Sequence, residues 1–298
     1  MAATEPKAPF REFAPAKINL FLHVLGKRAD GYHELDSLVA FADVGDHLTV
    51  RPAGEWGLTI AGPCAEDLND ENPANNLVLK AARLAAEWAK GAGATLTPLH
   101  FTLEKHLPVA SGIGGGSADA AAALRICAKA ARLPIDDHLR ARALELGADV
   151  PVCLESRPAW MSGMGELLEP AQLPEGLGVV LVNSGVQVST REVFARLSEQ
   201  GVSEAARAPR DVSTMAKLTN VLGNAGNDLE DPAAIMELSI RDTIRAIEET
   251  NPIVSGMSGS GATCFGIYVS TEAASKAATA LRTAHHNWWI AEGELLGA

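Results

Sequence analysis

The chain has 298 residues, 47% of them hydrophobic, and a formal net charge of −12 at pH 7. That length supports a sizeable core and one or two domains. The acidic balance argues against a sequence-independent nucleic-acid binder, which needs a basic surface. No apolar run is long enough to span a membrane, and the opening MAATEPKAPFREF has no apolar signal core. The sequence therefore reads as a soluble cytoplasmic protein without nucleic-acid or membrane partners. Cys64, Cys127, Cys153 and Cys264 are widely spaced with no C-x-x-C pair, which favours buried thiols in a reducing compartment over disulfides or zinc.

In chain order, residues 16–25 (AKINLFLHVL) alternate. Ile18, Leu20, Leu22 and Val24 fall on one face, and Lys17, Asn19, Phe21 and His23 on the other, which predicts a strand with a mixed second face. A loop follows, with turn chemistry at Asp30-Gly31. Residues 47–51 (HLTVR) and 57–61 (GLTIA) predict a hairpin around Pro52-Ala53-Gly54. Residues 76–90 predict a helix. Leu77, Ala81, Leu84, Ala85 and Trp88 form its apolar stripe, Asn75 or Asn76 caps it, and Gly91 stops it. Residues 99–107 alternate again, with Leu99, Phe101 and Leu103 on one face.

That strand delivers the chain into residues 108–123, PVASGIGGGSADAAAA, around which the sequence is organised. Gly112, Gly114, Gly115 and Gly116 fall within five positions, and glycine lets a ligand approach the backbone without a Cβ in the way. An alanine-rich helix follows, with Ser117 predicted as its N-cap and Asp119 where the helix dipole favours an anion. A glycine-rich turn opening a helix suits phosphate, because free N–H groups and the positive dipole end point the same way. It is no Walker A loop, since no Lys-Ser or Lys-Thr follows, and its spacing is not that of a dinucleotide fingerprint. A tight structural turn before a packed helix is the alternative on local grounds.

Beyond it, residues 137–146 predict a short helix ending at Gly147, followed by GADVPVCL, where Pro151 is expected to end local regularity. A composition shift at SRPAWMSGMGE suggests a domain boundary, dividing residues 1–162 from 163–298. Residues 178–182 (GVVLV) predict a buried strand, and Ser189 or Thr190 caps the helix REVFARLSEQ. Residues 201–214 are polar and predict a loop. Residues 233–249 predict one helix. A second glycine cluster, SGMSGSGATCFGIYV, runs into an apolar strand. A helix over 271–284 and a strand over 288–291 close the chain. Interleaved helices with hairpin-like strand pairs favour an α+β fold of mixed sheets and packed helices.

PAKINLFL, the glycine loop and MSGSGATCF, in that order, resemble the GHMP kinases, which include the galactokinase, homoserine kinase and mevalonate kinase families. PAKINLFLHVLGKRADGYHEL, LPVASGIGGGSADAAAAL and LGADVPVCL are similar to the corresponding stretches of the 4-diphosphocytidyl-2-C-methyl-D-erythritol kinase family. The DGYH segment is not general to the superfamily. The resemblance spans essentially the whole chain. It implies a two-domain GHMP kinase fold with the active site in the interdomain cleft. It also implies ATP-dependent phosphorylation of the 2-hydroxyl of the cytidyl-methylerythritol substrate, on the non-mevalonate isoprenoid route.

By resemblance, Pro108, Val109, Ala110, Ser111, Gly112, Ile113, Gly114, Gly115, Gly116, Ser117 and Ala118 hold the ATP phosphates, and Lys105 lies near the adenine or ribose. Asp149 is the implied base and Lys17 its partner, an ion pair that keeps the carboxylate charged while Lys17 offsets phosphate charge. Asn19 lines the same site. Tyr32 and His33 hold the cytosine, and Thr190 with Phe194 completes the cytidine pocket. There the chain reads GVQVSTREVF, lacking the proline often found after the threonine. The turn over residues 258–261 is implied to lie against substrate or phosphates, with a structural strand-leading turn as the alternative. No acidic cluster stands in for a Walker B aspartate, so no protein metal site is expected and Mg²⁺ is expected to arrive with ATP. A lysine on a strand is ordinarily solvated and an aspartate before Val-Pro is ordinarily a turn residue. Other GHMP small-molecule kinases of homoserine or mevalonate type have no cytosine for DGYH to bind. A non-catalytic nucleotide sensor on this fold has no need of a base such as Asp149.

Overall fold

The computed structural model describes residues 10–29, 31–68, 72–200 and 208–297. Asp30 of the expected turn and the first seven residues of the polar stretch at 201–214 lie outside them. The chain divides into two compact units that interleave in sequence: unit 1 comprises Met1–Pro15, Gly45–Val109 and Gly115–Glu155, and unit 2 comprises Ala16–Val44, Ala110–Gly114 and Ser156–Ala298. Two long strands, β1 (Arg11–Lys27) and β2 (His33–Pro52), contribute to both.

In unit 1 the predicted hairpin is absent. β4 (Leu99–Glu104) lies between its two arms, pairing antiparallel with the end of β2 and parallel with β3 (Gly57–Ala61). A parallel pair needs a crossover, and α1 (Leu77–Gly91) supplies it. The side chain of Asn76 accepts the Val78 N–H and caps that helix, and Leu84, Ala85 and Trp88 of its predicted stripe are buried. α1 packs against α2 (Gly115–Ala131), whose Ala118, Ala120, Ala121, Ala122 and Ala123 are all buried. Such a small surface lets helices approach closely. α2 starts at Gly115, so Ser117 is its third residue and not its N-cap. α3 (Asp137–Ala143) is capped by Asp136, whose carboxylate also accepts the Trp88 indole N–H at 2.9 Å. α4 (Val150–Glu155) begins one residue before Pro151. Proline is tolerated in a first turn, where no intrahelical partner is needed for its missing N–H, so it opens this helix and does not end regularity.

In unit 2, β1 is buried on both faces, because its polar face lies against other chain. The expected loop is also shorter, since β2 begins at His33 and pairs over Leu35–Val39 with β5 (Ala159–Gly163). β6 (Leu167–Pro170) returns antiparallel to β5. A second, antiparallel sheet runs in the order β10, β7, β9, β8, from Trp289–Glu294, Gly178–Asn183, Cys264–Tyr268 and Val254–Met257. β7 and β9 are buried along their whole length, and α9 (Thr271–Ala284) packs on them through Ala274, Ala278 and Leu281. α5 (Thr190–Gln200) is capped by Ser189, whose hydroxyl and carbonyl accept the Glu192 and Val193 N–H groups. α6 (Met215–Asn224), capped by Thr214, has no counterpart in the sequence reading. The single helix expected at 233–249 is two, α7 (Glu230–Met236) and α8 (Ser239–Glu248). Glu237 leaves helical geometry at φ −141°, ψ 96° and breaks the run.

Arg125 of α2 joins four partners of unit 1. It binds the Glu12 carboxylate and donates to the carbonyls of Phe13 (2.8 Å), Cys153 (2.8 Å) and Leu154. Replacing it by Ala removes one of two cations from the largely buried Glu12 carboxylate, which keeps Lys129, and takes the donor from three carbonyls. Arg125→Ala is therefore expected to cost about 2–4 kcal/mol, read as a lower denaturation midpoint at unchanged slope. A loss below about 0.5 kcal/mol would contradict this account.

Candidate active site

The residues singled out from the sequence divide between the units. Lys17, Asn19, Tyr32, His33, Ala110, Ser111, Gly112, Ile113, Gly114, Thr190 and Phe194 belong to unit 2, and Lys105, Pro108, Val109, Gly115, Gly116, Ser117, Ala118 and Asp149 to unit 1.

Within unit 2, Lys17 and Asn19 stand two apart on β1 and so share a face. Both are buried, at 3% and 1% exposure. The glycine loop is fastened to this strand and to the tight turn between β8 and β9. The Lys17 N–H donates to the Ile113 carbonyl at 2.9 Å. The Asn19 N–H donates to Ser258 Oγ, and that hydroxyl donates to the Gly112 carbonyl, both at 3.0 Å. The Thr263 N–H donates to the Ser111 carbonyl at 3.0 Å. No side chain fits where loop and turn meet. A Cβ on Gly112 (φ +78°) would lie 2.8 Å from the Gly261 nitrogen, and one on Gly259 (φ +57°) 2.7 Å from the Gly112 oxygen. The second small-residue turn is thus the backbone partner of the first. The Asn19 amide donates to Ser37 Oγ at 2.8 Å and leaves Oδ1 buried with no partner.

The expected base-binding residues also converge in unit 2. The His33 ring stacks on Phe194 with centroids 4.7 Å apart and planes inclined by 25°. The imidazole is held below its usual range, first by burial and then by the charge of Lys27, so it is neutral at physiological pH. Thr190, at the start of α5, shares a 2.7 Å hydrogen bond with Ser260 of the small-residue turn. Tyr32 is 60% exposed.

Two features here escaped the sequence reading. Asn227, just before α7, donates through Nδ2 to the carbonyls of Met257 (2.8 Å) and Gly259 (2.7 Å), clamping the turn. Asp36, fully buried on β2, binds Arg210 at 2.7 Å, and that guanidinium lies 4.8 Å over the Trp160 ring. An Asn-Asp pair after Gly226 and an aspartate between Leu35 and Ser37 were the available signals. Both depend on chain nearly 30 residues or more away, which local pattern does not reveal.

Within unit 1, Asp149 is half-buried at the start of α4, where its carbonyl accepts the Cys153 N–H at 3.1 Å. Ser117 sits in the first turn of α2, and a Cβ on Gly147 would lie 3.9 Å from its hydroxyl. Lys105 is buried at 2% exposure, and its ammonium is bound by Asp46 and, at 2.9 Å, by Asp119. Burial alone would lower the lysine, but the two carboxylates outweigh it and raise it. Burial pushes the Asp119 carboxyl up to about 7 against the pull of Lys105. Among the described residues no group of three His, Cys, Asp or Glu side chains could hold a metal ion, and no helix is long and apolar enough to cross a membrane.

Two families match this chain: GHMP kinases N terminal domain over residues 76–157, and GHMP kinases C terminal over residues 202–287. A 4-diphosphocytidyl-2-C-methyl-D-erythritol kinase of Rhodopseudomonas palustris (strain ATCC BAA-98 / CGA009) is 48% identical over 296 residues, covering 96% of this chain and 97% of that one. The chain belongs to the 4-diphosphocytidyl-2-C-methyl-D-erythritol kinase family of GHMP kinases. Another member, from Parvibaculum lavamentivorans, is 50% identical over 288 residues, covering 95% of this chain and 97% of its own. A crystal structure of 4-(cytidine 5'-diphospho)-2C-methyl-D-erythritol kinase superposes with a TM-score of 0.76 at 33% identity, over 97% of this chain and all of that one. A homoserine kinase from Cytophaga hutchinsonii superposes with a TM-score of 0.71 over 100% of this chain and 97% of its own. At 17% identity that likeness is one of fold alone. The α+β GHMP kinase fold and the family inferred from PAKINLFL, the glycine loop and DGYH are borne out.

The packing of Gly112 against residues 258–261 gives a direct test. Gly112→Ala forces a side chain into left-handed backbone and onto neighbouring backbone, and should cost more than about 2 kcal/mol. Gly54→Ala, where a Cβ meets nothing within 4 Å, should stay within about 0.5 kcal/mol of wild type. Equal thermal midpoints for the two variants would refute the close approach.

Proposed function

We propose that the protein transfers the γ-phosphoryl group of ATP to the 2-hydroxyl of 4-diphosphocytidyl-2-C-methyl-D-erythritol, giving the 2-phosphate and ADP, in the non-mevalonate isoprenoid route. The observation that carries this reading is near-full-length identity of 48% and 50% to proteins bearing that activity in their names.

The residues suit the chemistry. Phosphoryl transfer asks a protein mainly for positioning and electrostatics. Residues 108–118 hold the ATP phosphates in this reading. The glycines at 112, 114, 115 and 116 leave room for them, and the 17-residue α2 presents its N-terminus there. Mg²⁺, arriving with ATP, supplies further charge neutralisation on the phosphates. Asp149 accepts the proton of the acceptor hydroxyl, and Lys17 keeps Asp149 ionised and offsets charge on the transferred group. The buried, unsatisfied Oδ1 of Asn19 suits an acceptor for a substrate hydroxyl. Tyr32, His33, Thr190 and Phe194 hold the cytidine. Neutral His33 can both donate to and accept from a base edge, while exposed Tyr32 supplies an aromatic ring for stacking.

We read residues 1–162 as the ATP-side domain and 163–298 as the substrate-side domain. The two matched family regions, 76–157 and 202–287, lie on either side of that boundary. The four cysteines are free, which suits work in the reducing cytoplasm.

The first experiment offers ATP with 4-diphosphocytidyl-methylerythritol, homoserine and mevalonate in parallel. Selective turnover of the cytidyl compound is expected, and turnover of another acceptor would remove the cytosine reading of Tyr32 and His33. Asp149→Asn should lower kcat by about 10²–10⁴ while calorimetric ATP affinity holds. Undiminished turnover would sink the assignment. Tyr32→Ala should raise KM for the cytidyl substrate by about tenfold, in line with the roughly 1–3 kcal/mol of a base–aromatic stack. It should leave KM for ATP in place, and equal effects on both would argue against stacking.

A further inference from the structure

The glycine loop leaves and re-enters unit 1 through two flanks, residues 105–107 and 115–119. Both are tied to one buried group of charges. Lys105 is fixed through its backbone: its N–H donates to the Ala61 carbonyl at 2.7 Å, and its own carbonyl accepts the Cys64 N–H at 3.1 Å. Its ammonium binds Asp46 and Asp119. Asp46 also accepts the N–H groups of His106 (2.6 Å) and Leu107 (2.9 Å), so it holds the chain as it turns out of β4. Asp119 lies on the second turn of α2. A Cβ on Gly115 would stand only 3.1 Å from Lys105 Nζ, so the ammonium also abuts the first residue of that helix. All three residues are at most 3% exposed.

We propose that Asp46, Lys105 and Asp119 form a positioning unit that fixes the two flanks of the phosphate loop to each other, with the Lys105 charge engaged by carboxylates and not by the nucleotide. This rests on the loop being the ATP site. A loop of glycines has little stiffness of its own, so its flanks must be held from outside, and here one ammonium joins them. A buried lysine between two carboxylates carries one negative charge in excess unless a proton is retained. The retained proton has a place: Asp119 Oδ1 is buried without a hydrogen-bond partner. The trio is then neutral beneath a helix N-terminus that has to attract an anion.

The test compares Lys105→Met, Asp119→Leu and Asp119→Asn in the full-length enzyme, reading KM for ATP, KM for the cytidyl substrate, kcat, thermal midpoint and competition by inorganic tripolyphosphate, which has no base or ribose. Lys105→Met and Asp119→Leu should each raise KM for ATP about tenfold or more and weaken tripolyphosphate by the same factor, with KM for the cytidyl substrate unmoved. Asp119→Asn keeps the shape and an oxygen that accepts from Lys105, and should recover most of what Asp119→Leu loses. A loss for ATP without loss for tripolyphosphate would make Lys105 a base or ribose contact and overturn the proposal. A lower thermal midpoint with every KM unchanged would reduce the trio to a stability device and overturn it as well. If tripolyphosphate fails to compete with ATP on the wild-type enzyme, the reading of the loop as the phosphate site is what fails, and the proposal falls with it.

Discussion

The constraint on which unit 2 depends is the backbone-to-backbone approach of the glycine loop and the turn after β8. Gly112 and Gly259 meet with no room for a Cβ on either, and Ser258 bridges Asn19 to the Gly112 carbonyl. Sparing side chains at this junction has a cost, since glycine loses more conformational freedom on folding than any other residue. Hydrogen bonds from β1 and from Thr263 offset it, and Asn227 grips the turn from behind. The same arrangement holds Asn19, Lys17 and Thr190 around one small region of the unit, so the loop's geometry and the placement of those side chains are one problem with one solution.

Electrostatics in this acidic chain are local. A net charge of −12 would repel ATP and a cytidine diphosphate alike if it were spread evenly over the site. Three of the carboxylates, Asp36, Asp46 and Asp119, are buried and each faces a cation, Arg210 or Lys105. Such pairs gain little stability over apolar packing. Their value is in fixing where a charge is, and Lys105 and Arg210 are each fixed by carboxylates set into β2.

Much of this was legible from the sequence, and the failures have physical causes. The glycine-rich turn opening a helix, the Asn76 cap, the buried β7 and α9 rest on short-range signals, and as elements they stand as read. The hairpin at 47–61 failed because alternation identifies strands without identifying their neighbours; β4, forty residues on, takes the place between the two arms. Ser117 failed as a cap because the glycines before it supply the first turn themselves. The helix at 233–249 failed because Glu237, a good helix former, is held in extended geometry. Asp46 drew no notice because its value lies in Lys105 and Asp119, which are near it only once the chain is folded. Lys17 and Asn19 were found as two polar residues on a strand face, but nothing in their spacing foretold that this face would be buried.

Strands β1 and β2 each run without a break from one unit into the other, and unit 1 is assembled from three separate segments. No single cut in the chain therefore releases either unit whole. A fragment ending near residue 155 would carry β2 without β5, its partner over Leu35–Val39, presenting an exposed edge that invites association. The two units therefore stand or fall together during synthesis: β1 and β2 emerge early, but the second pairing of β2 in unit 2 waits for β5. For much of translation the nascent protein carries unpaired strand, and its safety in that interval depends on rapid completion or on a chaperone.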